Sequence, residues 1–431
     1  MPVRQREEVQ EMLRSGPVSE MKETGLRRVP ASEHPLDRGM ISVEARKVLE
    51  RLHAAGYKAY LCGGGVRDLW LGKEPKDFDV ATDARPEEVK HVFRNCRIIG
   101  RRFRLAHVIF RDVIIETATF RALLDESEET ESVEVPSRRN REIPDPTFAT
   151  RDGVIVRDNV YGTPEEDARR RDFTVNGLFY DWASGAVLDY VGGIADLEAR
   201  VLRVIGDPAT RFHEDPVRMI RAVRIASQLG FEIEPGALQA IRDMGGELAN
   251  ASPERMHEEM LKIFNCGSAR AVWRLAMDTG LAQRVYPEFT WWLEGAGERG
   301  ALWTEKALAQ FDVWKKNGLK AAPGLQYTLL FGAWMEAMAA AAKGTPAFVA
   351  ATEAAGAALR GGGQLVKIPK FIQYDAERIM GAQVQMAKSS GASKYAERMR
   401  KRAGFSDALV YLKFASGFDP KRKALFERWA R

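Results

Sequence analysis

Cysteine is scarce in this chain of 431 residues. Cys62, Cys96 and Cys266 stand apart, with no CxxC pair for zinc and no even set for a disulfide framework. That usage implies a reducing compartment. No apolar run approaches the roughly 18 residues needed to cross a bilayer, and the N-terminus lacks a signal-peptide core, so a soluble, cytoplasmic protein is expected. The six histidines, His107 and His213 among them, show no metal spacing. No His-Asp dipeptide of the phosphohydrolase kind occurs, and the histidines read as packing residues. Two common phosphate motifs are also missing. A P-loop ending at Gly72-Lys73 needs glycine where Arg67 stands and Ser or Thr where Glu74 stands. A dinucleotide fingerprint starting at Gly63 needs glycine where Asp68 stands.

The length suggests two to four domains at the usual ~100–200 residues each, and 45% hydrophobic composition is enough to fold them. A net charge of +5 permits a polyanionic partner without demanding one. Its distribution says more, because the stretch from Lys388 to Arg431 holds twelve basic residues against four acidic ones. Contact with a polyanion and a merely solvated basic surface both fit that count.

Residues 1–40 lack a sustained period and read as an exposed arm. From Ser42, Val43, Ala45, Val48, Leu49 and Leu52 fall at helical spacing up to Gly56. "KAYLC" then reads as a strand, "GGG" as a turn, "VRDLWLG" as a short helix, "DFDVAT" as a strand, and Pro86 opens another helix. "RLAHVIF" and "VIIETATF" predict a hairpin around Arg111-Asp112. The charged, proline-bearing segment of about 125–153 reads as a mobile loop. Strand character returns at Thr174–Tyr180 and Val187–Tyr190, and helices alone are expected after about Gly206. Between Ala333 and Gly363 alanine and glycine dominate, which suggests close-packed helices.

In "DFD", alternation along a strand turns Asp77 and Asp79 to one face and Phe78 to the opposite, buried one. Two adjacent carboxylates suit a hard cation such as Mg²⁺, which shares its shell with phosphate oxygens and water. One such ion would activate an attacking hydroxyl and a second would neutralise a leaving pyrophosphate. Alone the pair is weak, since 60 acids in 431 residues give about eight such spacings by chance. Its context strengthens it: the glycine turn ahead of Arg67 exposes N–H groups beside a helix start, a favourable place for phosphate oxygens.

Together "GGGVRDLWLG" and "DFD" resemble the signature of the polymerase-β-like nucleotidyltransferases, in the class II branch that holds bacterial poly(A) polymerases and CCA-adding enzymes. "RRRDFTVNGLFYD" resembles the segment that contacts ribose and triphosphate. "DYVGGIADLEARVLRVIG" resembles the hinge from head to neck, and "EDPVRMIRAVRIASQLGF" the nucleotide-selecting motif. The resemblance runs from about Ser42 to Cys266. It implies an α+β head with a small mixed sheet at 41–205, a selecting helical neck at 206–270 and an RNA-binding helical body and tail at 271–431. "IIGRRFRLAHV" is similar to the stretch typical of the poly(A) polymerases. The implied reaction is template-independent transfer of AMP from ATP to RNA 3′ ends, with messenger, regulatory or transfer RNA as acceptor and CCA addition as the alternative.

The resemblance places Gly63, Gly64, Arg67, Arg171 and Asn176 at the nucleotide, and Asp77 and Asp79 at two Mg²⁺ ions, with Mn²⁺ as a substitute. It makes Asp172 the third catalytic carboxylate. Glu116 is the second choice, because a neighbouring strand could aim it at the pair. Asp215 and Arg218 would select the base: three apart on a helix, they offer an acceptor and a donor that match the amine-plus-acceptor edge of adenine or cytosine. Asp215 also fits an N-cap before Pro216. Arg218, Arg221 and Arg224 form a basic stripe opposite Val217, Ile220 and Ile225, assigned to triphosphate or RNA.

Overall fold

A computed structural model describes residues 25–100, 104–123, 148–151, 154–158, 160–361, 364–389 and 394–430. It divides into two compact units, one of residues up to 218 with 230–240, the other of 219–229 with 241 onward.

The first unit is built on a twisted sheet. Its strands are β1 (Arg27–Val29), β2 (Ala59–Cys62), β3 (Asp79–Thr82), β4 (Cys96–Ile99), β5 (Leu105–Ile109) and β6 (Ile114–Thr119). Beyond the hairpin pair β7 (Phe148–Arg151) and β8 (Val154–Asp158), the sheet is completed by β9 (Phe179–Asp181) and β10 (Val187–Asp189). The order is β1-β10-β9-β2-β3-β6-β5-β4, and β7–β8 pair only with each other. All pairings in the large sheet are antiparallel except β3 with β6. A parallel pair needs a crossover, and the helix Pro86–Val92 with β4 and β5 supplies it. The helix Val43–Ala54 starts where Ser42 Oγ accepts from Ala45 N at 3.2 Å. It buries Ala45, Val48, Leu49 and Leu52 and ends before Gly56, whose φ of +88° disfavours any side chain.

The expected hairpin forms, with Phe110 N donating to Val113 O at 2.8 Å across Arg111-Asp112. Four expectations need correction. Residues 27–29 are an edge strand of the sheet rather than part of an exposed arm; residues 1–24 lie outside the described residues. Thr174–Asn176 is a 3₁₀ turn, and the strand begins only at Phe179. Helices are not alone after Gly206, because β12 (Glu232–Ile233) pairs in parallel with β11 (Val201–Leu202). Phe148–Arg151 forms a strand in place of the end of a loop, which its alternation before the hairpin-turn signal Asp152-Gly153 accounts for. The rest of that loop, residues 125–147 and 152–153, lies outside the described residues, as do Arg101–Phe103 of "IIGRRFRLAHV".

Among its described residues the second unit is helical, with an aromatic core. Phe264 meets Tyr327 edge-on at 5.0 Å, and Phe289 meets Phe331 at 4.7 Å. Buried Trp303 donates its indole N–H to Leu329 O at 2.7 Å. Gly332 lies under this cluster, where a Cβ would come within 2.8 Å of the Trp303 ring. The alanine-rich stretch forms the packed helices Pro323–Ala341 and Ala347–Arg360. No helix among the described residues is long and apolar enough to cross a membrane.

Candidate active site

The site gathers where β2, β3, β6 and the "RRRDFTVN" segment meet. β2 ends at Cys62, and Gly63 turns the chain with φ +72° into the helix Gly64–Trp70. Glycine is required twice over at that point: the backbone is left-handed, and a Cβ would come 3.1 Å from Arg171 Nη1. Gly63 is buried, whereas Gly64 is partly accessible.

Asp79 opens β3 in register with Cys62 on one side and Glu116 on the other. Asp77 lies two residues earlier, outside the ladder, solvent-exposed and 3.1 Å from Lys76 Nζ. Phe78 is half-buried against the turn at Gly65, not fully buried, because β3 begins only after it. Burial first, then the charges of Glu116 and Asp77, push the Asp79 carboxyl up to about 6, with Arg171 opposing them. Glu116 sits opposite His107 across β5–β6, with His107 Nε2 3.5 Å from Glu116 Oε1. The parallel register sets Glu116, the second choice for the third carboxylate, directly beside Asp79.

Asp172 has other partners. Its Oδ1 accepts from Phe173 N at 2.9 Å and from Asn176 Nδ2 at 3.1 Å. Asn176 Oδ1 in turn accepts from Arg67 Nη1 at 2.7 Å, and Arg67 also donates to Asp68. Arg67 and Asn176 are 8% and 7% exposed, so this bond crosses a buried interior and joins two motifs far apart in sequence. Arg171 is held by Asp167 Oδ2 at 2.9 Å, with its guanidinium 4.9 Å from the Phe179 ring. Arg171 Nη1 also donates to Asn176 O at 3.4 Å, so Arg67, Arg171, Asp172 and Asn176 form one network with Gly63 beside it.

A second cluster joins Arg218, expected at the nucleotide, to Arg170 and Arg211, which carried no expectation. Arg211 donates to the carbonyls of Arg170 and Arg171 at 2.6 and 3.1 Å and to Glu214 at 2.7 Å. Arg218 donates to the same Glu214 oxygen at 3.0 Å and to Arg211 O at 2.9 Å. Burial, then Arg121 and Arg211, lowers Arg170 to about 9. Burial, then Arg218, lowers Arg211 to about 10. Such lowering marks a region of positive potential that a polyanion would relieve. The run Arg169-Arg170-Arg171 is the sequence signal for Arg170. Asp215, 8% exposed, closes the helix Pro208–Glu214 one residue before Pro216.

The stripe continues differently. Arg221 and Arg224 reach Glu259 at 3.4 and 2.9 Å, and Lys262 joins them at 2.7 Å. Glu259 is 3% exposed, so these two arginines neutralise a buried carboxylate on the helix Pro253–Phe264. Their expected contact with triphosphate or RNA is thus joined by a structural role inside the second unit.

Among the described residues no group of three His, Cys, Asp or Glu side chains is placed to hold a metal. A cage made by protein alone is therefore not formed there. The raised Asp79 carboxyl beside two other acids is what a cation shared with phosphate oxygens and water would relieve, so the donor set fits Mg²⁺.

Residues 59–203 match a family described as the poly A polymerase head domain, and residues 230–293 one described as a probable RNA and SrmB-binding site of polymerase A. Poly(A) polymerase I of Salmonella typhi is 43% identical over 307 residues, which cover 70% of this chain and 63% of that protein. The chain thus spans less than two thirds of that relative's length. A CCA-adding enzyme of Lactobacillus helveticus is 37% identical over 249 residues, 58% of this chain and 56% of that one. The solved CCA-adding enzyme of Bacillus stearothermophilus in complex with CTP superposes with a TM-score of 0.58 at 27% identity, covering 90% of this chain and 82% of that one.

Proposed function

We propose that this chain, which belongs to the nucleotidyltransferase family shared by bacterial poly(A) polymerases and CCA-adding enzymes, is a poly(A) polymerase that adds AMP from ATP to RNA 3′ ends without a template. The observation that carries the reading is the acidic edge at Asp77, Asp79 and Glu116 in the same unit as a basic cluster at Arg170, Arg211 and Arg218. The first suits divalent cations and the second a triphosphate. Greater identity to a poly(A) polymerase than to a CCA-adding enzyme favours tailing.

In the reaction the RNA 3′-hydroxyl oxygen bonds the α-phosphorus of ATP, the bond from that phosphorus to the bridging oxygen breaks, and pyrophosphate leaves. Mg²⁺ held by Asp77 and Asp79, two ions with Mn²⁺ as a substitute, would lower the hydroxyl's pKa and offset charge on the leaving group. Asp79, the most shielded of the three acids, fixes the site by its position in the ladder. Glu116 adds the third negative charge from the parallel strand. Arg171 and Arg211, anchored to Asp167 and Glu214, would hold phosphate oxygens with little reorganisation. Asn176 and Arg67 would keep the Gly63 turn in place beneath them. Asp215 and Arg218 would read the exocyclic amine and adjacent ring nitrogen of adenine. A cytoplasmic setting suits three free thiols.

The test is primer extension with each nucleoside triphosphate supplied alone. Long A-tails on arbitrary RNA are expected. Addition limited to one or a few nucleotides on tRNA ends would move the assignment to CCA addition.

A further inference from the structure

Resting on the reading that this chain extends RNA, we infer that the second unit holds single-stranded RNA in one groove whose floor is apolar and whose rim is basic. The groove, of about 720 Å³, lies among the helices Pro323–Ala341, Ala347–Arg360, Lys370–Lys388, Phe405–Ala415 and Pro420–Trp429. Ala339, Ala347, Ala351, Met380, Val384 and Leu412 line it, and Lys388, Lys421, Arg422 and Arg428 edge it. The single acid in the lining is Glu336. That carboxylate is already engaged, bonded to Arg422 and accepting the Tyr411 hydroxyl at 2.7 Å. Lys388 and Lys421 are exposed at the rim, and Arg428 donates a long 3.4 Å bond to Ser389 O.

A line of cations beside a floor of methyl groups calls for a ligand with a repeating negative charge and an apolar face. Single-stranded RNA has both, because its phosphates are regularly spaced and its bases are free of a partner strand. A duplex keeps its base faces stacked inside and could use the rim alone. The floor also gives a use to the alanine-rich segment, whose small side chains leave the groove its depth. The basic excess after Lys388 is thereby focused on one surface.

The test uses the full chain, with 5′-labelled oligoadenylate and an RNA duplex followed by fluorescence anisotropy across salt concentrations. The double variant Lys388→Ala/Lys421→Ala is expected to lower the log–log salt slope for the single strand by about 1.4, at ~0.7 per phosphate contact. Ala387→Trp, which narrows the mouth without altering charge, should weaken single-strand binding several-fold and leave the slope and duplex affinity unchanged. Melting curves equal to the parent's establish that both variants are folded. Unchanged affinity and slope in both variants would overturn the inference. So would equal losses for single strand and duplex in the double variant with parental behaviour of Ala387→Trp, the mark of diffuse surface attraction. Nucleotide transfer by the unsubstituted chain tests the underlying reading separately: a chain that binds oligoadenylate in the groove yet transfers no AMP sinks that reading and keeps the groove.

Discussion

The head concentrates charge of opposite sign in two places. At the acidic edge burial, then the charges of Glu116 and Asp77, pushes the Asp79 carboxyl up to about 6. At the basic cluster burial, then Arg121 and Arg211, draws Arg170 down to about 9, and burial, then Arg218, draws Arg211 down to about 10. Glu259 in the second unit is the contrast. It is as buried as any of them, yet Arg224, Arg221 and Lys262 outweigh burial and hold its carboxyl below the ordinary range. Charge balanced from within serves the fold, whereas charge left in excess awaits a ligand of opposite sign.

The largest test of that contrast is Asp79→Asn, expected to reduce AMP transfer by roughly 10³-fold or more, the scale of losing a group that stabilises transition-state charge. Undiminished transfer would show the acidic edge to be misassigned. Glu259→Ala should instead cost stability, about 3 kcal/mol, because two guanidiniums lose their buried partner. Its KM for ATP should stay unchanged in steady-state kinetics, and a rise would place Arg221 and Arg224 at the nucleotide as well. Inorganic triphosphate should raise the melting temperature, by about 2.7 kcal/mol of added stability at 100 times its Kd. Arg211→Met should remove most of that gain in the same thermal scan; full retention would place the anion elsewhere.

The smallest effect is a pH dependence. The folded metal-free chain keeps a proton on Asp79 up to about pH 6, whereas an unfolded aspartate loses it near 3.9. The native state therefore binds more protons across that window, and metal-free stability falls as pH rises through it. Asp79→Asn should melt higher than the parent at neutral pH, by on the order of 1–2 kcal/mol after allowance for partial exposure. The two curves should converge below about pH 4, and Mg²⁺ should stabilise only the parent. Parallel curves at all pH values would contradict the charge crowding.

Much of the head was legible from residue spacing. The capped helix after Ser42, the hairpin at Arg111-Asp112 and the strand–turn–helix at Gly63 are local matters of periodicity and turn chemistry. Glu116 could only be ranked second, since its nearness to Asp79 comes from a parallel pairing 37 positions along the chain. The 3₁₀ turn at Thr174–Asn176 was read as strand because β-branched residues favour strands until a tertiary constraint intervenes. Here that constraint includes Asn176, which bonds Arg67 and Asp172 from the turn.

By itself the sequence determined which groups are present and their short-range order: an acid two residues from another, a glycine turn ahead of an arginine, a motif order that resembles one family. Short-range order is set by local sterics and hydrogen bonds, which reach only a few residues. Tertiary structure alone decided which charges meet their opposites. It set Arg221 and Arg224 against Glu259, left Arg170 and Arg211 crowded, and put Glu116 next to Asp79. Electrostatic partnership depends on distance and burial in space, and neither is a property of spacing along a chain.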